Sequence, residues 1–196
     1  MLVRWFLAAG AVAIAHSSER LAPFSAIEVR DGGHVVVRHG DSYQATLVRG
    51  SRECTTFTVS DGVLVIDDRL HGCRVTNPLD VEVITPSVRR VSYSNGGWVR
   101  VASGFPPQQG LDVSVSNGGA VDVRAMSADR VVASVLQGGR IYTVPSASLQ
   151  ARVESGGAIT YWGSVTVTSS TEDGGVVRKG EAKDLRLPLS QLIGIQ

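Results

Sequence analysis

The sequence predicts an all-β protein, a β-solenoid in which short strands turn at repeated Gly-Gly corners. Gly-Gly pairs recur at near-constant spacing along the chain, which is typical of stacked solenoid coils. Aliphatic and polar residues alternate on both sides of these pairs, as they do in half-buried strands. The composition agrees, because 43% of the residues are hydrophobic, only 6% are aromatic and 22 are glycine. Such a chain has many small side chains to bury, which favours stacked strands over a helical bundle.

The first 15 residues have the features of an export signal. Arg4 precedes an apolar stretch of 11 residues, and Ala13-Ile14-Ala15 fits the small-x-small rule for signal cleavage. An uncleaved N-terminal anchor is the alternative, although the stretch is short for a membrane-spanning helix. We therefore expect a mature single domain, residues 16–196, in the periplasm or on the cell surface of a bacterium, with no integral membrane segment.

The charge pattern gives no indication of a polyanionic partner. The formal net charge is +1, and removal of Arg4 with the signal brings it near zero. Since nucleic-acid binding needs a basic patch or stripe, we expect no nucleic acid among the partners.

The two cysteines, Cys54 and Cys73, are predicted to form a disulfide. They are 19 residues apart, and an exported chain enters an oxidising compartment. The alternative is a metal site in which His71 and His39 join the two thiolates, but the spacing matches no standard zinc motif. We therefore expect no metal and no cofactor.

Six Gly-Gly pairs mark the predicted corners. The last five are 22, 20, 18 and 18 residues apart, and the first gap of 64 residues is close to three such periods. The residue before each pair is mostly a turn former. The corner glycines are Gly32, Gly33, Gly96, Gly97, Gly118, Gly119, Gly138, Gly139, Gly156, Gly157, Gly174 and Gly175.

The residue three positions after the first glycine of each pair is β-branched and aliphatic in every copy. These residues are Val35, Val99, Val121, Ile141, Ile159 and Val177. Residues at one repeat position stack at the inter-strand spacing. We therefore predict a continuous inward ladder from Val99 to Val177.

The remaining segments are less regular. Residues 43–48, 56–59 and 63–66 are predicted as short strands, with Ser60-Asp61-Gly62 as a turn. The last repeat is more polar than the others, as expected of a terminal unit. The leucine-rich residues 181–196 are predicted to cap the open end, because an exposed edge invites aggregation.

The motifs resemble a known family. The chain carries FSAIEVRDGGHVVVRHG and VSDGVLVI, followed by LDVSVSNGGAVDV and LQARVESGGAITYWG. Over residues 24–180 this resembles the DUF2807 family, the putative auto-transporter adhesin, head GIN domain. The resemblance implies a right-handed, single-stranded parallel β-helix in the bacterial envelope, and it brings no catalytic residues.

Two acidic residues are the candidate catalytic pair. Glu154 and Glu172 each lie two residues before a Gly-Gly pair and 18 residues apart, so they should stack on neighbouring coils. Carboxyl groups about 5–5.5 Å apart serve retaining glycosidases. Asp173 adds a third acid, which would instead suit calcium. The alternative is a solvated corner without chemistry, and the neighbouring repeats carry no acid at this position.

Three aromatic residues are the candidate binding residues. Trp98, Tyr142 and Trp162 fall at positions predicted to point outward, where exposed rings stack on sugars or anchor a protein partner. Together with Glu154 and Glu172 they are the predicted binding residues.

The sequence therefore favours a non-enzymatic, adhesin-like envelope protein whose lateral faces bind an envelope protein or a glycan. A carbohydrate-active enzyme, a polysaccharide lyase or hydrolase, is the first alternative. A structural periplasmic scaffold is the second.

Overall fold

A computed structural model of the chain describes residues 17–68 and 79–194. The described residues form short β-strands, one turn of 3-10 helix at Asp184–Arg186 and one short α-helix. They are β1 (Ser17–Arg20), β2 (Ala26–Val29), β3 (His34–His39), β4 (Gln44–Arg49), β5 (Thr56–Ser60), β6 (Val63–Asp67), β7 (Asp80–Thr85), β8 (Arg90–Ser94), β9 (Trp98–Val101), β10 (Gln108–Ser116), β11 (Ala120–Asp122), β12 (Ala128–Leu136), β13 (Arg140–Thr143), β14 (Pro145–Glu154), β15 (Ala158–Tyr161), β16 (Thr166–Thr171), β17 (Val176–Lys179) and α1 (Leu189–Ile193).

The strands form two mixed sheets that share one hydrophobic core. The nine-stranded sheet has the order β1-β4-β7-β3-β9-β11-β13-β15-β17, and the eight-stranded sheet has the order β16-β14-β12-β10-β8-β2-β6-β5. Inward aliphatic residues of both sheets belong to a single buried cluster. Side chains alternate between this core and the outer face along each strand.

The predicted inward ladder is confirmed. Val35 pairs in register with Val99, and the same register continues through Val121, Ile141, Ile159 and Val177. All are fully buried except Val177, which is half-buried. The Gly-Gly spacing therefore predicted correctly which residues are neighbours across strands.

The predicted right-handed, single-stranded parallel β-helix is wrong. Most pairs are parallel, but β1 with β4, β4 with β7 and β5 with β6 are antiparallel. The sheets are mixed and open, and in the first half their strand order does not follow the chain.

The 64-residue gap between the first two Gly-Gly pairs explains the error. It does not contain three further repeats, because β3 pairs directly with β9 and β2 pairs directly with β8. The chain between these neighbours forms strands on their other side. β7 pairs with β3 and β6 pairs with β2, and β4 and β5 then pair antiparallel with β7 and β6. The spacing of the Gly-Gly pairs therefore does not reveal an insertion whose strands pair elsewhere before the chain returns to the sheet beside its starting strand.

The corners use an unusual backbone conformation. The residue before each Gly-Gly pair has φ between 45° and 69°, in the left-handed region. Asn117 Nδ2 donates to Asn95 Oδ1 over 3.1 Å, and Asn95 Nδ2 donates to Asp31 Oδ1 over 3.1 Å. Short polar side chains therefore serve both the turn and the contact between neighbouring corners.

Residues 181–194, here called the C-terminal segment, pack on the outer face of the nine-stranded sheet. Leu189 of this segment is buried with Ala120, Tyr142 and Trp162. The segment that was predicted to cap the open end therefore contacts the face of a sheet in its described residues.

Arg124 fixes the C-terminal segment to the sheet. Its guanidinium donates to the carbonyl oxygens of Asp184, Leu185 and Leu187 over 2.9–3.1 Å. It also pairs with the buried carboxylate of Asp122 over 2.7 Å. Charge-assisted hydrogen bonds of this kind are stronger than neutral ones, so the segment is held by its backbone as well as by Leu189.

Candidate functional site

An open cavity of about 350 Å³ lies on the outer face of the nine-stranded sheet. It is formed where β4, β7, β3 and β9 are neighbours. Val36, Val48 and Trp98 supply its apolar surface, and Val48 is 44% exposed. Polar side chains surround them. We call the combined set the outer-face patch: His34, Val36, Val48, Arg49, Asp80, Glu82 and Trp98.

Strand alternation places these residues outward. Val35 and Val37 are fully buried, so His34 and Val36 between and beside them face the opposite side of β3. The same alternation leaves Asp80 and Glu82 outward beside buried Val81. Residues that are distant in sequence therefore meet on one surface.

Asp80 is the centre of the polar groups in the outer-face patch. Its Oδ1 lies 3.0 Å from His34 Nδ1, and its Oδ2 lies 2.7 Å from Arg49 Nη2. Glu82 pairs with the neighbouring Arg38 over 3.2 Å. These pairs are partly solvent-exposed, so they add little stability. They place carboxylate and guanidinium groups around an apolar surface.

Trp98 lies between the outer-face patch and the part of the sheet that the C-terminal segment covers. Its ring stacks on His34, with centroids 4.7 Å apart and an interplanar angle of 15°. Trp98 also packs against the buried cluster that includes Tyr142 and Leu189. The half-buried ring forms one side of the patch.

The expectation that Tyr142 and Trp162 are exposed is wrong. They do lie on the outer face, but the C-terminal segment covers them and leaves 3% and 4% exposed. Tyr142 Oη donates to Leu192 O over 3.1 Å, and Trp162 Nε1 donates to Glu181 O over 2.8 Å. Burial raises the pKa of Tyr142. With the segment in place, neither ring is available for stacking on a sugar.

Glu154 ends β14, and Glu172 directly follows β16, the strand that pairs with β14. Val153 is in register with Thr171, and the Glu172 N–H donates to Val153 O over 2.9 Å. Glu154, however, forms an ion pair with Arg152. Glu172 is exposed. The pair thus lies on an open corner, without the enclosure that strengthens general acid catalysis.

The metal alternatives receive no support within residues 17–68 and 79–194. This part of the chain contains no group of three or more His, Cys, Asp or Glu side chains placed to hold a metal. Asp173 has φ 45° and serves the last corner. His71 and Cys73 lie outside the described residues, so the disulfide with Cys54 stays a prediction.

Sequence reasoning missed most of the outer-face patch. Trp98 was identified, but His34, Arg49, Asp80 and Val48 were not. The available signal was the alternation of outward polar residues with buried valines in β3 and β7. It could not be interpreted as one surface, because the sequence does not show that β7 is the neighbour of β3.

Comparison with known proteins identifies a family match. Residues 23–106 match the DUF2807 family, described as putative auto-transporter adhesin, head GIN domain. This confirms the resemblance over residues 24–106, and every residue of the outer-face patch lies within the matched range. No curated protein matches the sequence.

One solved structure supports the fold, and two others are similar at lower scores. A protein described as a putative adhesin from Bacteroides fragilis is similar with a TM-score of 0.55 and 16% identity, over 87% of this chain and 98% of that one. A putative adhesin from Parabacteroides merdae has a TM-score of 0.40 and 14% identity, over 85% and 96% of the two chains. A putative cell adhesion protein from Clostridium sporogenes has 0.43 and 10%, over 84% and 97%. No helix among the described residues is long and apolar enough to cross a membrane.

Proposed function

Because residues 23–106 of this chain match the DUF2807 family, we propose that it is an exported, adhesin-like protein that binds envelope glycans through the outer-face patch. The observation that carries the proposal is the chemistry of that patch. An apolar surface formed by exposed Val48 and half-buried Val36 and Trp98 is surrounded by carboxylate and guanidinium groups.

A sugar ring fits this combination of groups. It has one apolar face of C–H groups and a rim of hydroxyls that both donate and accept hydrogen bonds. Asp80 and Glu82 accept, and Arg49 donates. The cavity of about 350 Å³ is near the lower end of the small-molecule range of about 300–1,000 Å³, so it suits one or two sugar units.

The chain acts by binding and not by catalysis in this proposal. Glu154 pairs with Arg152 and Glu172 is exposed, so the candidate acid pair offers no enclosed site. A periplasmic scaffold without a ligand predicts no glycan binding that a substitution in the outer-face patch removes.

The test is binding of the purified chain to envelope fractions from its host, before and after periodate oxidation of the sugars. Val48→Asp should abolish binding, because it places a charge on the apolar surface at a position that is already 44% exposed. Val132→Asp is the matched control: Val132 is 38% exposed on the eight-stranded sheet. Both variants should fold, since exposed substitutions change stability by about 0.5 kcal/mol or less.

Periodate-sensitive binding that Val48→Asp removes and Val132→Asp retains would support the proposal. Binding that is destroyed by protease treatment of the fractions but survives periodate would replace the glycan by a protein partner. Unchanged binding by Val48→Asp would rule out this site. Export is tested separately by mass spectrometry of the protein from its host, which should show an N-terminus at or near His16.

A further inference from the structure

Both sheets end in an open edge at the same end of the molecule. Among residues 17–68 and 79–194, β16 is the last strand of the eight-stranded sheet and pairs only with β14, and β17 is the last strand of the nine-stranded sheet and pairs only with β15. The C-terminal segment packs on a sheet face and leaves most of both edge strands exposed.

The core is incomplete at this end. Leu149 on β14 is 1% exposed and Ile159 on β15 is fully buried, yet their register partners Val167 and Val177 are only half-buried. Val176 is 45% exposed. Apolar groups that would be covered by one more strand in each sheet thus face solvent.

The edge of β16 lacks the usual protection. Its sequence, TVTSST, contains no charge and no proline, whereas natural edge strands commonly carry Lys, Pro or a bulge. The Glu172 N–H donates to Val153 O of β14. Alternate residues of a strand direct their backbone groups to opposite sides. Val167, Ser169 and Thr171 therefore direct their N–H and C=O groups away from β14.

We propose that this end binds a second copy of the chain about a two-fold axis, with β16 against β16 and β17 against β17 of the copy, both antiparallel. A single strand from another protein would close one sheet only. A second copy has the same two edge strands, separated by the same distance. One contact therefore extends both sheets and covers Val167 and Val177. The contact is isologous and closed, which limits assembly to a dimer.

The test is the mass of the chain in solution, measured by light scattering and by sedimentation over a range of concentrations. The wild-type chain should be a dimer. Ser169→Pro removes an N–H that strand alternation directs to the open edge, away from β14, and edge strands tolerate proline. Because the two-fold axis removes hydrogen bonds from both copies, the dimer dissociation constant should rise by about tenfold or more.

Ser169→Ala is the matched control, since it keeps the N–H and should remain a dimer. Thr168→Lys is the second variant, because Thr168 lies at the middle of β16, where the two copies of one residue come close across the axis; like charges there repel, and the loss of dimer should be reduced by salt. Circular dichroism verifies the fold of each variant. A wild-type chain that stays monomeric at every concentration, growth beyond a dimer, or a folded Ser169→Pro chain that dimerises like the wild type would overturn the proposal. None of these outcomes bears on glycan binding at the outer-face patch.

Discussion

The Gly118-Gly119 corner should be asymmetric, with the second glycine far less replaceable than the first. At Gly119, with φ 92°, an added Cβ would lie 2.5 Å from Tyr93 Cε1 and 3.0 Å from Gly97 O. At Gly118, with φ 84°, an added Cβ meets nothing within 4 Å. Both backbones are unfavourable for alanine, but only Gly119 faces the neighbouring repeat.

The structure sets the expected sizes. Left-handed backbone costs alanine about 1–2 kcal/mol at either position. Overpacking adds about 1–3 kcal/mol at Gly119 only. Gly118→Ala should therefore lower the free energy of unfolding by about 1–2 kcal/mol, and Gly119→Ala by about 2–5 kcal/mol.

Urea denaturation followed by far-ultraviolet circular dichroism measures both values in one series. The two variants share residue type, chain position and the sign of φ, so their difference isolates the contact with Tyr93. Equal losses of stability would refute the reasoning, because they would mean that the second glycine does not lie against the neighbouring repeat.

Three further predictions concern other parts of the chain. Arg124→Met should release the C-terminal segment to early proteolysis and cost about 3–5 kcal/mol, because Asp122 keeps a buried charge without its partner; Lys183→Met, at an exposed ion pair of the same segment, should change little. Burial raises the pKa of Tyr93 above its ordinary value of 10.0, so the unfolded chain ionises first and stability should fall as the pH rises above that value. Denaturation of Tyr93→Phe as a function of pH should show a smaller alkaline loss, and an equal loss would contradict the assignment. Labelling of the exported protein should find no free thiol at Cys54 or Cys73, and two reactive thiols would exclude the disulfide.

Cross-strand neighbours were predictable because they depend on local chemistry. The corner residues at left-handed φ and the β-branched residues three positions after the first glycine recur with the repeat. A slip of one residue would turn every inward valine outward, so burial enforces the register that the spacing predicts. This reasoning correctly placed Val121 opposite Ile141.

Topology was not predictable from the same pattern. The period indicates that repeats are neighbours, but it does not say whether residues between two Gly-Gly pairs add a repeat or leave the sheet and return. The antiparallel strands β4 and β5 have the same alternation as parallel ones, because side-chain period is a property of a strand and not of its partner. The β-helix prediction failed for this reason.

The same distinction between local pattern and topology applies to the candidate sites. Trp98, Tyr142 and Trp162 were correctly placed on an outer face, since alternation depends only on their own strands. Tertiary structure alone decided that the C-terminal segment buries two of them, through Arg124 and Leu189. Alternation along a strand is a local property, so the sequence by itself determined the strands, the corners and their register. The outer-face patch and the open edges arise from contacts between distant segments, whose free energy depends on the positions of all the strands together.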